Sequence, residues 1–173
     1  MNFDFIIVGG GSAGCVLANR LSENGLYKIL LLEAGKKGNI WSSIPISFAT
    51  LMNNPKANWL YKSEPDKGSN FRRIEIPRGK LIGGSSSING MVFVRGQSHD
   101  YDHWSQLGNT GWSFQEVLPF FKRMEAATFG NDNFRGRNGP LHVIQPKEKG
   151  PLYDAMFAAA REIGIQKNRD YNG

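Results

Sequence analysis

Residues 3–14, with the sequence FDFIIVGGGSAG, combine a short apolar run with closely spaced glycines. The apolar, partly β-branched residues 5–8 predict a buried parallel strand. Residues 12–21, SAGCVLANRL, carry the apolar stripe of a helix. Between strand and helix three glycines have the spacing G-x-G-x-x-G: Gly9, Gly11 and Gly14. The stretch therefore predicts a strand that turns directly into a helix.

This turn has the features of a dinucleotide site. The first glycine permits a tight turn, the second lets the backbone approach a pyrophosphate, and the third lets the helix pack close to the strand. The helix N-terminus adds free amides and a positive dipole. Residues 27–32 predict a second strand, and Glu33 follows it, 33 − 14 = 19 residues after the last glycine. An acidic residue about 20 residues on is expected to bind the adenosine ribose.

The same residues allow three other interpretations. Residues 10–14 also match G-x-S-x-G, in which Ser12 would be the nucleophile of an α/β hydrolase. That turn belongs in the middle of a sheet, whereas this strand starts at residue 3, and Glu33 would have no role. Nucleotide binding is therefore favoured. The βαβ unit alone suits NAD as well as FAD, so a nicotinamide-dependent dehydrogenase stays open, as does a remnant that binds no nucleotide.

Composition sets the broad class. With 173 residues, 40% hydrophobic and 21% charged, we expect a soluble globular protein with one domain over residues 1–173, and the βαβ unit assigns it to the α/β class. No apolar run reaches the length of a membrane span, and the N-terminus lacks a secretory signal, so we expect a cytoplasmic protein. The net charge of +6 comes from scattered basic residues without a nucleic-acid-binding signature, so no nucleic acid is expected. The single cysteine, Cys15, is interpreted as a small packing residue.

Periodicity predicts the remaining elements. The expected set is a brief helix within residues 44–52, an antiparallel strand pair at 59–64 and 73–76, helices at 100–108, 113–128 and 151–164, and a strand at 141–144. Pro119 predicts a kink or a late start of the helix at 113–128. His99 and His103 lie four apart in HDYDH, but H-E-x-x-H would need Glu at position 100, so no metal site is expected.

A second glycine-rich stretch covers residues 79–96, GKLIGGSSSINGMVFVRG. Gly83 and Gly84 permit unusual backbone angles, and the serines at 85–87 supply N-cap hydroxyls for a short helix. Apolar residues bracket this loop on both sides, so we expect it to face a ligand. Arg78 and Lys80 would support a bound dinucleotide electrostatically.

From Gly79 to Asp102 the sequence resembles the first signature of the glucose-methanol-choline (GMC) oxidoreductases, which are FAD-dependent alcohol oxidases and dehydrogenases. VGGGSAGCVLANRLSE, LLLEAG, RGQSHDYDHW and GWSFQEVLPFFKRME are similar to the same family, nearest to its choline-dehydrogenase-like branch. The resemblance spans essentially the whole chain. It implies a Rossmann-like FAD-binding fold with added helices and small antiparallel strands, here incomplete.

The resemblance also implies which residues touch FAD. The pyrophosphate would lie on Gly9, Gly11, Ser12, Ala13 and Gly14, and the adenosine ribose on Glu33. Leu81 and Ser85 would line the cofactor, with Asn89, Gly90 and Val92 along the flavin ring. Some family members bind FAD covalently through a histidine before this asparagine. Ile88 stands there, so we expect non-covalent FAD.

In the family, a comparable segment is the N-terminal third of a longer enzyme, so we expect an N-terminal fragment. The family's catalytic histidine, paired with His or Asn, lies further along, and none of His99, His103 or His142 matches it. The parent would oxidise a primary alcohol, choline being one candidate, and pass electrons to oxygen or a quinone-like acceptor. The fragment alone would be inactive, and peripheral attachment to the inner membrane is the alternative location.

Overall fold

The chain begins with the predicted strand–helix–strand unit. In the computed structural model, which describes residues 2–146 and 150–173, β1 (Phe5–Val8) leads into α1 (Ser12–Ser22). The next strand, β2 (Ile29–Leu32), pairs in parallel with β1 from Phe5–Ile29 to Val8–Leu32. The predicted βαβ unit is thereby confirmed, with the second strand starting two residues later than expected. It lies in the first of two compact units, Met1–Val92 and Phe93–Gly173.

Burial of β1 was wrongly predicted. Ile6 is 62% exposed and Val8 is 84% exposed. Within the described residues β1 pairs only with β2, and α1 contacts both strands. Apolar side chains on the remaining surface of this two-stranded sheet consequently stay accessible.

The rest of the first unit consists of short elements around a small core. They are 3₁₀ helices at Ile40–Ser43, Pro45–Ser47, Lys67–Ser69 and Gly84–Ser87, α2 (Phe48–Leu51), and the antiparallel pair β3 (Tyr61–Lys62) and β4 (Glu75–Ile76). The brief helix and the antiparallel pair are confirmed, with shorter strands than predicted. Four side chains form the buried core: Leu51, Ala57, Leu81 and Ile88.

The predicted capping of the second glycine-rich stretch was wrong. The N-cap of its 3₁₀ helix is Gly83, in the left-handed region with φ +89°, and no side chain caps it. The serine hydroxyls donate backwards instead, from Ser86 to the Gly83 carbonyl at 2.7 Å and from Ser87 to the Ile82 carbonyl at 2.8 Å. The positive φ of two successive glycines turns the chain before the serines, which leaves no serine at the N-cap.

The described residues of the second unit, 93–146 and 150–173, form three helices and one strand pair. Its elements are α3 (Ser98–Gln106), α4 (Phe114–Met124), β5 (Glu125–Ala127), β6 (Leu141–Val143) and α5 (Pro151–Glu162). Capping boxes start α3 at Gln97 with Asp100 and α4 at Ser113 with Glu116. The hydrogen bonds from Ser113 lower the pKa of Glu116. Because α4 begins at Phe114, ahead of Pro119, the late start that was one of the two predicted effects of this proline does not occur; the kink stays a prediction.

The predicted helix at 113–128 is also too long. It ends at Met124, and β5 pairs in parallel with β6, Glu125 opposite Leu141. The carboxylate of Glu125 explains the change, because it accepts a hydrogen bond from the Gly136 amide at 2.9 Å and faces two arginines. These tertiary contacts override the local helical pattern.

Buried charges join four parts of the second unit. Glu125 is fully buried, and its Oε1 lies 2.8 Å from Arg95 Nη2 while its Oε2 lies 3.2 Å from Arg135 Nη1. Arg135 also donates from Nε to Asp170 Oδ2 at 2.8 Å and from Nη2 to Asp170 Oδ1. Asn172 Oδ1 accepts from the Arg95 amide at 2.6 Å. This buried ion network thereby ties the last residues of the chain to Arg95 and to β5.

The network makes the second unit sensitive to acid. Hydrogen bonds from Arg135 hold the pKa of the Asp170 carboxyl below its usual range. The ionised Asp170 carboxylate therefore contributes its full stabilisation above the unfolded-state pKa of about 3.9. This stabilisation is lost as pH falls through the pKa of the folded state, which is lower. We expect Asp170→Asn to cost about 1.5–3 kcal/mol at pH 7, and we expect this cost to shrink below about pH 4, as measured by urea unfolding.

An exposed carboxylate provides the control for that comparison. Asp132 pairs with Arg137, but its side chain is 81% exposed. Asp132→Asn should cost about 1 kcal/mol or less at pH 7. If the stability cost of Asp170→Asn stays constant between pH 7 and pH 2.5, the lowered pKa assigned to the Asp170 carboxyl is wrong.

Within residues 2–146 and 150–173 the helices are too short or too polar to cross a membrane.

Candidate functional site

A cleft opens at the carboxyl ends of β1 and β2 in the first unit. It has a volume of about 550 Å³. Nine residues line it: Val8, Gly9, Gly11, Leu32, Glu33, Ala34, Trp59, Gly79 and Gly84. Ligands of parallel α/β sheets bind beyond the carboxyl ends of the strands. The position of the cleft thus agrees with the predicted nucleotide site.

The glycines of the first motif have the geometry that a phosphate requires. Gly9 has a φ of +98°, which favours glycine. A side chain at Gly14 would overlap the carbonyl oxygen of Gly9, so only glycine lets α1 start this close to β1. Gly11 is the N-cap of α1, with no side-chain cap and no acidic residue in the first turn. The first amides of α1 therefore lack an intrahelical acceptor, which suits a bound pyrophosphate.

Glu33 connects the glycine-rich turn to the end of β2. Its Oε2 accepts from the Gly10 amide at 2.7 Å, and its Oε1 accepts from the Gly35 amide at 2.8 Å. Each carboxylate oxygen can accept a further hydrogen bond. Glu33 thus stabilises the turn, and its carboxylate oxygens can still accept a hydrogen bond from a ribose hydroxyl, which is the role predicted for it.

The second glycine-rich stretch packs directly on the first. The Gly83 amide donates to the Gly10 carbonyl at 2.7 Å, and the Ile82 amide donates to the Lys36 carbonyl at 3.0 Å. A side chain at Gly84 would come within 2.8 Å of the Gly11 Cα. Two motifs separated by about 70 residues therefore form one cleft, and Gly84 lines it beside Gly9 and Gly11.

The residues predicted to contact FAD lie in different surroundings. Three line the cleft (Gly9, Gly11 and Glu33), while Ser12 and Ala13 are exposed at the start of α1 and Gly14 is buried beneath the turn. Leu81 is 1% exposed and belongs to the core, so its contact with the cofactor stays a prediction. Ser85 Oγ accepts from the Gly79 amide at 3.2 Å.

The residues predicted for the flavin ring lie outside the cleft lining. Asn89, Gly90 and Val92 are exposed, and Asn89 Oδ1 accepts from the Met91 amide at 3.0 Å. Asn89 also lines a smaller cavity of about 100 Å³ with Trp41, Phe48 and Ser86. Their contact with FAD stays a prediction. Ile88, at the position of the covalent histidine in some family members, is 3% exposed and has an aliphatic side chain.

Several lining residues were not predicted as site residues. Trp59 is the largest of them, and its only sequence signal was its place at the start of the alternating stretch 59–64. Gly79 and Gly84 lie in the second motif, which was expected to face a ligand, and Gly84 was noted for its backbone angles, but neither was predicted as a cofactor contact. Cys15 agrees with its predicted packing role, since its Sγ lies 3.2 Å from the Gly10 carbonyl oxygen.

Two of the three histidines lie on α3 in the second unit. His99 and His103 are exposed on α3, with ring centroids 6.3 Å apart. In the part of the chain that the structure describes, no group of three or more His, Cys, Asp or Glu residues could hold a metal ion.

A family model and individual known proteins are similar to this chain. A family model described as GMC oxidoreductase matches residues 3–173. The oxygen-dependent choline dehydrogenase of Sinorhizobium medicae (strain WSM419) is 48% identical over 174 aligned positions, which cover 100% of this chain and 32% of the relative. The chain thus spans about a third of the length of such relatives.

The fold of the chain is also similar to that of solved oxidoreductase structures. Pyridoxine 4-oxidase from Mesorbium loti superimposes with a TM-score of 0.89 at 35% identity, over 99% of this chain and 34% of that one. An FAD-dependent oxidoreductase from Chaetomium thermophilum superimposes with a TM-score of 0.81 at 31% identity, over 99% and 31%.

Proposed function

The chain belongs to the GMC oxidoreductase family, and we propose that it is the FAD-binding part of an oxidoreductase that acts on CH–OH groups. The observation that carries the proposal is the single cleft formed by two glycine-rich motifs. It brings the N-terminus of α1, the carboxylate of Glu33 and the second motif to one place. That set of groups matches the pyrophosphate and adenosine ribose of a dinucleotide.

The residues of the chain have binding and orienting roles in this proposal. The amides at the start of α1 hold the pyrophosphate, and Glu33 fixes the ribose. Asn89, Gly90 and Val92 would lie along the flavin. When bound, FAD would supply the hydride acceptor for the alcohol carbon. Ile88 has no atom that could bond covalently to a flavin, which supports non-covalent binding.

The names of the relatives support a proposal for the substrate and the acceptor. A relative named choline dehydrogenase supports a small primary alcohol, choline-like in the first instance, with oxygen or a quinone-like compound as acceptor. We propose that the proton-accepting base lies outside these 173 residues, because none of the three histidines matches the catalytic motif of the family and the chain spans about a third of its relatives. We further propose a cytoplasmic location for the parent.

Flavin retention tests the proposal. The purified chain is incubated with FAD, desalted and examined by visible absorption, then precipitated with acid. We expect oxidised-flavin absorption that follows the protein through desalting and passes entirely into the acid supernatant. FMN, which lacks the adenosine, is the matched control and should be lost on desalting. We expect no choline turnover by this chain with either acceptor.

Two other outcomes would contradict parts of this proposal. Flavin in the acid pellet would contradict the role given to Ile88. No flavin in a chain that circular dichroism shows to be folded would contradict FAD binding, and an NAD titration would then separate a nicotinamide site from a remnant without nucleotide.

A further inference from the structure

Four asparagines of the chain are each followed directly by a glycine: Asn24, Asn89, Asn138 and Asn172. The amide nitrogen of such a glycine can attack the side-chain carbonyl carbon of the asparagine, because no Cβ hinders its approach. We propose that, of the four, Asn89 is the one that deamidates in the folded chain. The second glycine-rich motif would then carry a carboxylate in place of a neutral amide. This modification needs no cofactor and is therefore independent of the proposed function.

Deamidation requires a glycine amide that is free to react. In the first step the glycine nitrogen gives up its proton and bonds to the asparagine Cγ, while the bond from Cγ to Nδ2 breaks and Nδ2 leaves with that proton as ammonia. Water then opens the cyclic imide at either of its carbonyl groups, which gives aspartate or isoaspartate. A hydrogen bond that holds the glycine amide or the asparagine side chain in place therefore slows the first step.

The side chain of Asn172 is held at both ends. Its Oδ1 accepts from the Arg95 amide at 2.6 Å, and its Nδ2 donates to the Phe93 carbonyl at 3.0 Å. The amide that would attack it, from Gly173, donates to the Asp170 carbonyl at 3.2 Å. Turning the Asn172 side chain toward that amide would break the first two bonds, and the attack itself would break the third. We therefore expect Asn172 to be protected.

At the first and third pairs the glycine amide already donates a hydrogen bond. Gly25 donates to the Ser22 carbonyl at 3.0 Å. Gly139 donates at 3.0 Å to the carbonyl of Glu125, a fully buried residue. Each of these bonds must break before the nitrogen can attack, so only a small fraction of folded molecules can react at either pair.

The pair of Asn89 and Gly90 is exposed, and its reacting groups are free. Within residues 2–146 and 150–173, neither the Gly90 amide nor Asn89 Nδ2 forms a hydrogen bond. Asn89 Oδ1 accepts from the Met91 amide at 3.0 Å. Negative charge develops on this oxygen during the attack, so the donor stabilises the intermediate. Asn24 accepts in the same way from the Leu26 amide at 3.1 Å, and the free glycine amide is therefore what distinguishes Asn89.

Deamidation would change both the charge and the backbone of this loop. Asn89 is one of the residues proposed to lie along the flavin, and a carboxylate there would add a negative charge. Isoaspartate would also route the backbone through the former side chain and lengthen it by one carbon. The modification would thus alter the part of the second motif that is proposed to face the cofactor.

Incubation of the purified chain without FAD at mildly alkaline pH tests this assignment. Trypsin places the four asparagines in separate peptides, residues 21–28, 81–95, 138–147 and 170–173, so mass spectrometry can follow each of them. We expect Asn89 to deamidate about tenfold faster than each of the other three, since about this factor corresponds to one protein hydrogen bond. In guanidinium chloride, which unfolds the chain, the rates at Asn24 and Asn138 should approach the rate at Asn89.

Gly90→Ala and Gly38→Ala are matched variants. An added Cβ would lie 4.0 Å from the Phe48 ring at Gly90 and would meet no atom within 4 Å at Gly38, so both variants should fold. Gly90→Ala should lower the rate at Asn89 to the range of the other three asparagines, because its methyl group hinders the attacking nitrogen. Gly38→Ala should leave the rate at Asn89 unchanged.

Two results would overturn the assignment. One is a rate at Asn89 in the folded chain that is no faster than the rate at any of the other three asparagines. The other is equal deamidation of Asn89 in the Gly90→Ala and Gly38→Ala variants. Because no flavin is present in either measurement, neither result bears on FAD binding.

Discussion

Gly14→Ala is expected to abolish FAD binding by this chain. The added Cβ would overlap the carbonyl oxygen of Gly9 and lie 3.1 Å from its carbonyl carbon. Both are backbone atoms, so no change of side-chain rotamer relieves the overlap. The start of α1 must move away from β1, and its amides move with it. We expect a loss of about 3 kcal/mol in the free energy of unfolding and at least a hundredfold weaker FAD affinity, or about 2.8 kcal/mol.

Gly38→Ala is the matched control. Gly38 follows β2 in the same unit, and a Cβ there would meet no atom within 4 Å. It should therefore keep both stability and FAD affinity, measured by urea unfolding and by flavin fluorescence titration. If Gly14→Ala binds FAD as tightly as Gly38→Ala does, the close approach of α1 to β1 has no part in binding.

The first motif could be predicted because its information is local. The spacing of Gly9, Gly11 and Gly14 follows from steric limits within a few residues, and Glu33 lies at a fixed distance along the chain. The structure brings Glu33 to the Gly10 amide, as a βαβ unit requires. The contact between Gly83 and Gly10 is not local, and only resemblance to a family placed the second motif beside the cofactor.

Other features depend on contacts between distant residues, and sequence patterns miss them. Glu125 follows a helical pattern, yet it forms a strand because Arg95, Arg135 and the Gly136 amide surround its carboxylate. Trp59 enters the cleft through hydrogen bonds between Asn58 and Arg78, which are 20 residues apart. A short sequence window shows neither the contacts of Glu125 nor the contact between Asn58 and Arg78. Exposure of β1 was missed for a related reason, since burial depends on which elements flank a strand.

The buried ion network gives the second large effect, the loss of stability in Glu125→Gln. The substitution keeps the size of the side chain, and its amide oxygen can still accept from the Gly136 amide. It removes the negative charge that lies 2.8 Å from Arg95 Nη2 and 3.2 Å from Arg135 Nη1. The Arg95 and Arg135 side chains are only 3% and 1% exposed, so water cannot replace the lost charge.

Arg95 is the more affected of the two arginines. Arg135 keeps Asp170, whereas Arg95 keeps its Nη1 bond to the Phe134 carbonyl at 2.7 Å and its position 5.1 Å from the Phe121 ring centroid. Its Nε has no hydrogen-bond partner within the described ranges, and its Nη2 meets Glu125 as an ion pair without hydrogen-bond geometry. A buried guanidinium would thus lose the carboxylate with which it forms an ion pair, which is strongly destabilising.

We expect Glu125→Gln to lower the free energy of unfolding by about 3–5 kcal/mol. Urea unfolding followed by far-ultraviolet circular dichroism measures this loss. Glu162→Gln is the matched control, since Glu162 is exposed at the end of α5 and the same change there should cost less than about 0.5 kcal/mol. A stability for Glu125→Gln within 1 kcal/mol of that control would mean that water reaches the network. Glu125 would then hold β5 in place through the Gly136 hydrogen bond rather than through its charge.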